Sequence, residues 1–228
     1  MKKTLFTIIL FILLISNSFS QGNPPIDNTL NFKVMPVSLL AYNPRHRVGL
    51  EYIAQNRWAY SFDFGYGNHV LNQRRISGLK WGKDYSYYEL RPEIKYLFHR
   101  GNEYFMYAAM EFFHIRVQDN FGSGRYQQED PYMGISYESA RFDKRKTGAH
   151  VKGGVNFIAL DRLHFDFYGG VGLAKRTISY TDVVNPEEIG EIWVEWIPQP
   201  DLFEGESIVT HLTLGFKIGY TLWVKKSD

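Results

Sequence analysis

The segment from His211 to Val224, with the sequence HLTLGFKIGYTLWV, is the part of the chain that decides the fold. Apolar side chains alternate with polar or small ones along it, which is the period of a β-strand with one apolar face. The apolar face is longer than that of an ordinary strand of about five or six residues. It matches a tilted membrane-crossing strand, which needs roughly 9–11 residues. The segment therefore predicts the last strand of a transmembrane β-barrel.

The start of the chain has the features of a secretory signal peptide. Lys2 and Lys3 precede an apolar run, and small residues around Ser20 offer a cleavage site. The apolar run is too short for a spanning helix, so an uncleaved anchor is the weaker alternative. No cysteine is present, which excludes disulfides and lipid attachment at a cysteine. We expect a signal peptide at 1–20, a periplasmic lead at 21–29, a barrel at 30–224 and a tail at 225–228.

Composition is compatible with a barrel and argues against nucleic-acid binding. Aromatic residues make up 17% of the 228 residues, and the net charge is only +2. No basic patch is interleaved with stacking aromatics, as a nucleic-acid surface would require. Mean hydropathy is negative, which is expected when inward polar residues offset outward apolar ones.

Alternating patterns predict eight antiparallel strands in an up-and-down barrel. Prolines within two of these strands, Pro36 and Pro92, predict β-bulges. Connections near residues 55, 100 and 160 are tight, whereas those at 68–84, 118–146 and 181–207 are long; of this second set only the first, at 41–45, is short. Outer-membrane barrels alternate short periplasmic turns with long extracellular loops in this way. The predicted strands cover approximately 30–40, 46–54, 58–67, 85–98, 103–117, 147–158, 163–180 and 211–224.

The two faces of these strands differ sharply in charge. Outward positions carry almost none, and an eight-stranded barrel is only wide enough for side chains to fill its interior. We therefore predict an interlocked ionic core without an open pore; a proton or ion pathway is the alternative. The predicted inward ion-pair network consists of Arg47, Glu51, Asp63, Glu89, Arg91, Glu93, Lys95, Glu111, Lys152, Asp166 and Lys217.

Aromatic residues near the strand ends predict interfacial girdles at both membrane surfaces. The predicted periplasmic rim contains Phe98, Tyr104, Phe157 and Trp223. The predicted outer rim contains Tyr66, Tyr85, Tyr88 and Tyr180.

Candidate catalytic and metal sites are weak, and we assign no catalytic residue, metal or cofactor. His114, His150 and His211 could bind zinc, but isolated, solvated histidines are the favoured interpretation. Ser136 and Ser139 could supply a nucleophile, yet no spacing supports that role.

The predicted loops offer two further candidate surfaces. Trp193 and Trp196 lie in an alternating stretch, 192–197, that could form a hairpin and bind a partner. The loop that contains this stretch is acidic, and calcium binding there is conceivable. The favoured alternative is that the loop packs against the basic residues of 141–146. The first long loop contains a basic group that could contact lipopolysaccharide phosphates or could be solvated. The group consists of Arg74, Arg75, Lys80 and Lys83.

Two segments carry a resemblance to known proteins. Lys217, Gly219, Leu222 and Val224 resemble the assembly signal of outer-membrane barrels, although a terminal aromatic residue is missing and Lys225–Asp228 follow. Glu89–Tyr96 is similar to a strand of small Gram-negative outer-membrane barrels in a domain-of-unknown-function family. The resemblance implies this fold, an outer-membrane location and contact with the barrel-insertion machinery. It implies no catalytic residues.

Three functions remain open at this point. The first is a non-enzymatic outer-membrane protein that is structural or presents its loops to an extracellular protein or ligand. The second is an outer-membrane enzyme that modifies lipid A or phospholipid. The third is a secreted lipocalin-like carrier, which would need an apolar interior and a polar exterior.

Overall fold

The computed structural model describes residues 27–55, 57–72, 84–101, 103–129, 133–190 and 200–224. Several predicted features lie outside these ranges: the signal peptide, most of the lead and the tail. The basic group at Arg74, Arg75, Lys80 and Lys83 also lies outside them. So does the stretch at 192–197 with Trp193 and Trp196.

Eight antiparallel strands form the main sheet, and the predicted all-β, eight-stranded antiparallel architecture is confirmed. The sheet is closed because the first strand pairs with both the second and the last. Its strands, in chain order, are β1 (Thr29–Val34), β2 (His46–Ile53), β3 (Trp58–Asn68), β4 (Ser86–Arg100), β5 (Tyr104–Phe121), β8 (Ser139–Ala159), β9 (Leu163–Val184) and β11 (Gly205–Val224).

The remaining elements lie between the long strands. A second sheet contains three short strands, β6 (Gly124–Gln128), β7 (Met133–Tyr137) and β10 (Glu187–Gly190). Two 3₁₀ helices, η1 (Pro36–Leu40) and η2 (Pro200–Leu202), and one short helix, α1 (His69–Asn72), complete the described elements. No helix in the described ranges is long and apolar enough to cross a bilayer.

The connections differ in length at the two ends of the barrel. At one end the chain turns tightly after β2, β4 and β8, with backbone bonds such as Ala54 N to Trp58 O at 2.8 Å. Leu160 and Asp161 take up positive φ values of 51° and 61° to close the last of these turns. The longer connections, with η1, the second sheet and η2, lie at the opposite end.

The predictions of long loops at 118–146 and 181–207 were wrong in extent. β5 continues to Phe121, β8 begins at Ser139, β9 continues to Val184 and β11 begins at Gly205. Polar residues lie on one face of these extensions, while apolar ones such as Phe142, Ile178 and Tyr180 are buried on the other. The barrel wall is therefore much taller along β5, β8, β9 and β11 than along β1 and β2.

The second sheet packs against the inner face of this tall wall and forms an aromatic cap. The Tyr126 ring stacks on Tyr180 with ring centroids 4.4 Å apart, and Phe142 lies 5.4 Å from Tyr180. Tyr85 belongs to the same buried cluster. The placement of Tyr85 and Tyr180 in an outer girdle was therefore wrong, since both face inward. The other predicted rim residues lie on the outer face: Tyr88 is partly exposed, and five are between 38% and 51% exposed, namely Tyr66, Phe98, Tyr104, Phe157 and Trp223.

Both predicted β-bulges were wrong. β1 ends at Val34, and Pro36 begins η1 rather than a bulged strand. Pro92 pairs with Phe62 on one side, while on the other the ladder to β5 lacks pairs between Leu90 and Glu93 without a change of register. A missing N–H removes ladder bonds without requiring an extra residue. The register shift in β4 lies between Leu97 and His99 instead.

Candidate functional site

The lumen contains all eleven charged residues that the strand parity placed there. Each is buried, with no more than 4% of its surface exposed. β4 contributes four of them at alternate positions, from Glu89 to Lys95, because its charged residues share one parity. The others lie on β2, β3, β5, β8, β9 and β11, so that charges converge on the barrel axis from seven strands.

Lys33 is a twelfth lumen charge that the sequence reasoning missed. It is 1% exposed and lies on β1, whose parity was unclear from the sequence because of nearby Pro36. Alternation with buried Asn31 is the signal that could have identified it. Lys33 makes the count even, with six carboxylates facing six cations.

One half of the network surrounds two carboxylates, Glu51 and Asp166. Lys33 Nζ lies 2.6 Å from Glu51 Oε1 and 2.9 Å from Asp166 Oδ2. Lys95 Nζ contacts the same pair, at 2.6 Å from Glu51 and 3.0 Å from Asp166. The Tyr107 hydroxyl donates to the other oxygen of Asp166 at 2.6 Å. Each of the two acids is thus shared between two lysines.

The other half is built on arginines. Arg47 donates to Asp63 at 2.7 Å, and Arg91 bridges Glu89 and Glu111 at 2.9 and 2.8 Å. Glu93 joins the two halves, because it lies 3.2 Å from Lys95 and contacts Lys152, which also contacts Glu111. Lys217 forms a second connection, at 2.8 Å from Asp63 and 3.9 Å from Glu93.

The network can exist in a buried lumen because every charge has several partners of opposite sign. Removing a charge from water costs several kcal/mol, which is offset only when geometry and hydrogen bonding are good. Such a network closes the lumen and favours one strand register, since a shift by one residue would turn all charges outward. Chemically it fills the barrel axis with mutually bonded charges.

Apolar side chains seal the lumen at the tight-turn end. Ile53, Leu97 and Phe105 are completely buried there, and Ile158 is nearly so. The interior therefore has three layers: an apolar plug, the ionic network and the aromatic cap.

The histidines are arranged differently from the expectation of isolated, solvated side chains, which was wrong for two of the three. His150 is 1% exposed; its Nδ1 lies 3.0 Å from Glu111 Oε1 and its Nε2 lies 2.7 Å from His211 Nδ1. If Nδ1 of a neutral His150 donates to Glu111, Nε2 accepts from His211, which leaves His211 Nε2 as an acceptor. His114 is on the outer face and contacts Thr147.

The zinc site and the nucleophile, both disfavoured on the sequence, are not assembled among the described residues. Among the described residues, no group of three or more His, Asp or Glu side chains is placed to hold a metal ion. Ser139 lies on the same strand as His150 but eleven residues away, about 36 Å at roughly 3.3 Å per residue. Ser136 contacts the Glu187 carbonyl in the second sheet.

A basic group lies inside the tall wall, above the outer apolar surface. Lys144 Nζ contacts Asp201 of η2 at 2.6 Å. This contact joins the basic segment 141–146 to the acidic loop, as their opposite charges predicted. Lys146 lies directly opposite Arg176 across the β8–β9 ladder. Burial, together with the nearby charges of Lys144 and Arg176, lowers the pKa of Lys146 from its ordinary 10.5 to about 8, although Asp201 opposes this shift.

The segments that resemble outer-membrane barrels lie in β4 and β11. Lys217 and Gly219 face the lumen, Leu222 is exposed on the outside, and Val224 pairs with Thr29 at the closing seam. The family resemblance and the outer-membrane location remain predictions. Comparisons with protein-family models, curated proteins and solved structures found no match for this chain.

Proposed function

We propose that this chain is a non-enzymatic outer-membrane β-barrel with a closed, charge-filled lumen. It would be structural or would present its long connections to an extracellular protein or ligand. Export by the signal peptide and insertion by the barrel-assembly machinery are parts of this proposal. The proposal is supported chiefly by the inverted polarity of the barrel wall.

The outward face of the barrel forms an apolar belt. In the described strand segments between the tight turns and the tall extensions, no outward position holds Asp, Glu, Lys or Arg. Leu214 is 89% exposed and Leu212 76% exposed, values that a soluble protein rarely allows for a contiguous patch. The belt includes Phe32, Leu50, Phe62, Phe64, Leu90, Ile94, Met106, Met110, Val151, Phe167, Val171, Leu212, Leu214 and Tyr220.

The interior argues against the carrier alternative. A lipocalin-like carrier needs an apolar cavity, whereas this lumen holds twelve buried charges and is closed at one end by apolar side chains. Where the strands are paired, the hydrogen-bonded ladders also satisfy the backbone in lipid, where each open group costs several kcal/mol.

Charged residues just above the belt fit contact with lipopolysaccharide. Arg145 and Lys175 point outward there, and their side chains are 55% and 61% exposed. They lie at the level where the phosphates of the outer leaflet would meet the barrel. We therefore place the tall wall and its cap on the extracellular side.

A lipid-modifying enzyme is the second candidate, and the hydrogen-bonded series Glu111–His150–His211 favours it. A carboxylate that orients a histidine is a common device for activating a base. Replacement of His211 by Gln in barrels reconstituted with phospholipid would abolish fatty-acid release if this candidate were correct.

The proposal is tested by membrane extraction and by a gel-shift assay for the folded barrel. We expect the protein to remain in carbonate-washed outer membranes and to migrate as a compact form until boiled. Leu214→Arg should destabilise the inserted barrel by roughly 2–4 kcal/mol and weaken the compact band. Leu214→Met, which keeps an apolar side chain at the same position, is the control and should leave the compact band intact. Recovery of the wild-type chain in the soluble periplasm would refute the proposal.

A further inference from the structure

The barrel wall has a gap between η1 and the upper part of β11. In the described residues, β11 pairs with β1 only from Ile218 to Val224, and from Gly205 to Lys217 its ladder runs to β9 alone. η1 contacts both β2 and β11 and fills only part of this space. The gap lies at the level of the apolar belt, since Leu214 pairs with Gly169 and Leu212 with Val171.

A cationic cavity lies behind this gap. Its volume is about 160 Å³, and its polar lining includes Arg45, Arg47, Arg91, His211, Ser38 and Thr213. None of the described lining residues is acidic, although the arginines contact carboxylates elsewhere in the lumen. These carboxylates bind Nε and Nη2 of Arg47 and Nε and Nη1 of Arg91. Nη1 of Arg47 and Nη2 of Arg91 lie outside these bonds.

The cavity continues into an apolar furrow on the outer surface. The furrow has a volume of about 740 Å³, and it shares Val37, Tyr168, Leu214 and Gly215 with the cavity. It runs across neighbouring strands because the outward positions there are small: Ala108 pairs with Gly153, and Gly153 pairs with Gly169.

We propose that the gap is a binding site for one anionic phospholipid, with its phosphate in the arginine-lined cavity and an acyl chain in the furrow. This inference rests on the proposed membrane insertion. Guanidinium groups bind phosphate through short, charge-assisted hydrogen bonds. The bound headgroup would also supply acceptors near the open edge of β11, whose backbone groups face a region with little water.

The headgroup supplies most of the selectivity at this site. Acyl chains in a bilayer are already surrounded by apolar groups, so the furrow gains only packing contacts. The phosphate, in contrast, leaves the membrane interface and gains contacts with the guanidinium groups of three arginines. A diacylglycerol, which has the chains but no phosphate, should therefore bind poorly, and so should inorganic phosphate, which has no chain to cross the gap.

Three variants separate the two parts of the site. Gly169→Leu and Gly153→Leu fill the furrow, and the backbone has room for them: an added Cβ meets Leu214 Cδ1 at 3.6 Å in the first and only Tyr107 O at 4.0 Å in the second. Arg45→Gln weakens the cavity at its mouth, and Glu89 keeps Arg91 as a partner. Ala149→Leu, which enlarges the outer face of β8 outside the furrow, is the matched control.

Native mass spectrometry of full-length barrels released from nanodiscs measures the bound lipid. We expect wild type and Ala149→Leu to retain one phosphatidylglycerol. Arg45→Gln should retain about tenfold less, the loss that one charge-assisted bond implies, and the two furrow variants should show a smaller but measurable loss because they remove only packing contacts. Equal retention of diacylglycerol, equal retention by the furrow variants, or full displacement by inorganic phosphate would each overturn the site. The gel shift of the same samples reports insertion, so failure of the membrane proposal is recognised separately.

Discussion

Single lumen residues hold the closed barrel together because each buried charge is shared by several partners. Lys33 is the most instructive case, since it contacts both Glu51 and Asp166 and comes from the short strand β1. It thereby connects the seam between β1 and β11 to the centre of the network. A lumen with six charges of each sign is also sensitive to the loss of any one of them.

Replacement of Lys33 by Met should destabilise the barrel by about 3–5 kcal/mol, because the buried acids lose a cation. The double variant Lys33→Met, Glu51→Gln removes a charge of each sign and should recover much of this loss. Urea unfolding of refolded barrels, followed by the gel shift, measures both. A single variant as stable as wild type would show that the network contributes little. Lys175→Met, which disrupts an exposed pair with Glu206, should leave the urea midpoint unchanged.

At this scale the sequence predicted the charges better than their contacts. Strict alternation identified eleven inward residues without any knowledge of their partners. The approach of His150 to His211 could not be derived, because it joins β8 to β11 across β9 and depends on the stagger of the strands. The roles assigned to Tyr85 and Tyr180 were wrong because a strand that continues above the apolar belt keeps its inward aromatic residues buried in the cap.

The lengths of the elements could be predicted only where the outward side chains are apolar. Within the belt, the predicted strand limits agree with β2, β3 and β4 to within two residues. Above it, outward positions of β8 become Arg141, Asp143 and Arg145, and the polar composition concealed the alternation. The strands of the second sheet have only four or five residues each, which is too short an alternation to be predicted from the sequence.

Pro92 shows how a strand tolerates a missing donor within the closed sheet. Its ladder to β3 is unbroken, while the pairs to β5 are interrupted from Leu90 to Glu93. Pro92→Ile restores an N–H on the interrupted side and places a β-branched residue on the outer face. We expect a gain of about 1 kcal/mol in the free energy of unfolding, the net value of one hydrogen bond.

The urea midpoint of refolded Pro92→Ile barrels measures this gain. Leu90→Ile is the control, since it alters a neighbouring side chain on the same face and leaves the backbone donors unchanged. A Pro92→Ile barrel no more stable than this control would indicate that the interruption has another cause.

The whole molecule combines a belt, a filled lumen and an uneven wall. The uneven wall has a physical consequence, since β1 is too short to follow β11 upward and the wall opens beside η1. The opening leads sideways to the apolar outer surface through the furrow, while the ionic network and the apolar plug fill the axis. The described geometry therefore offers a lateral opening in the wall rather than a passage along the axis.

Reconstituted into a planar bilayer, the barrel should therefore show no stepwise conductance in concentrated KCl. Eight strands leave an interior that side chains fill, and here the filling residues are mutually bonded charges that must separate before an ion can pass. An open porin in the same apparatus serves as the positive control. Discrete, reproducible current steps from the wild-type barrel would contradict a closed lumen. If Lys33→Met lowers stability yet the bilayer remains silent, the apolar plug of Ile53, Leu97 and Phe105 maintains closure independently of the charges.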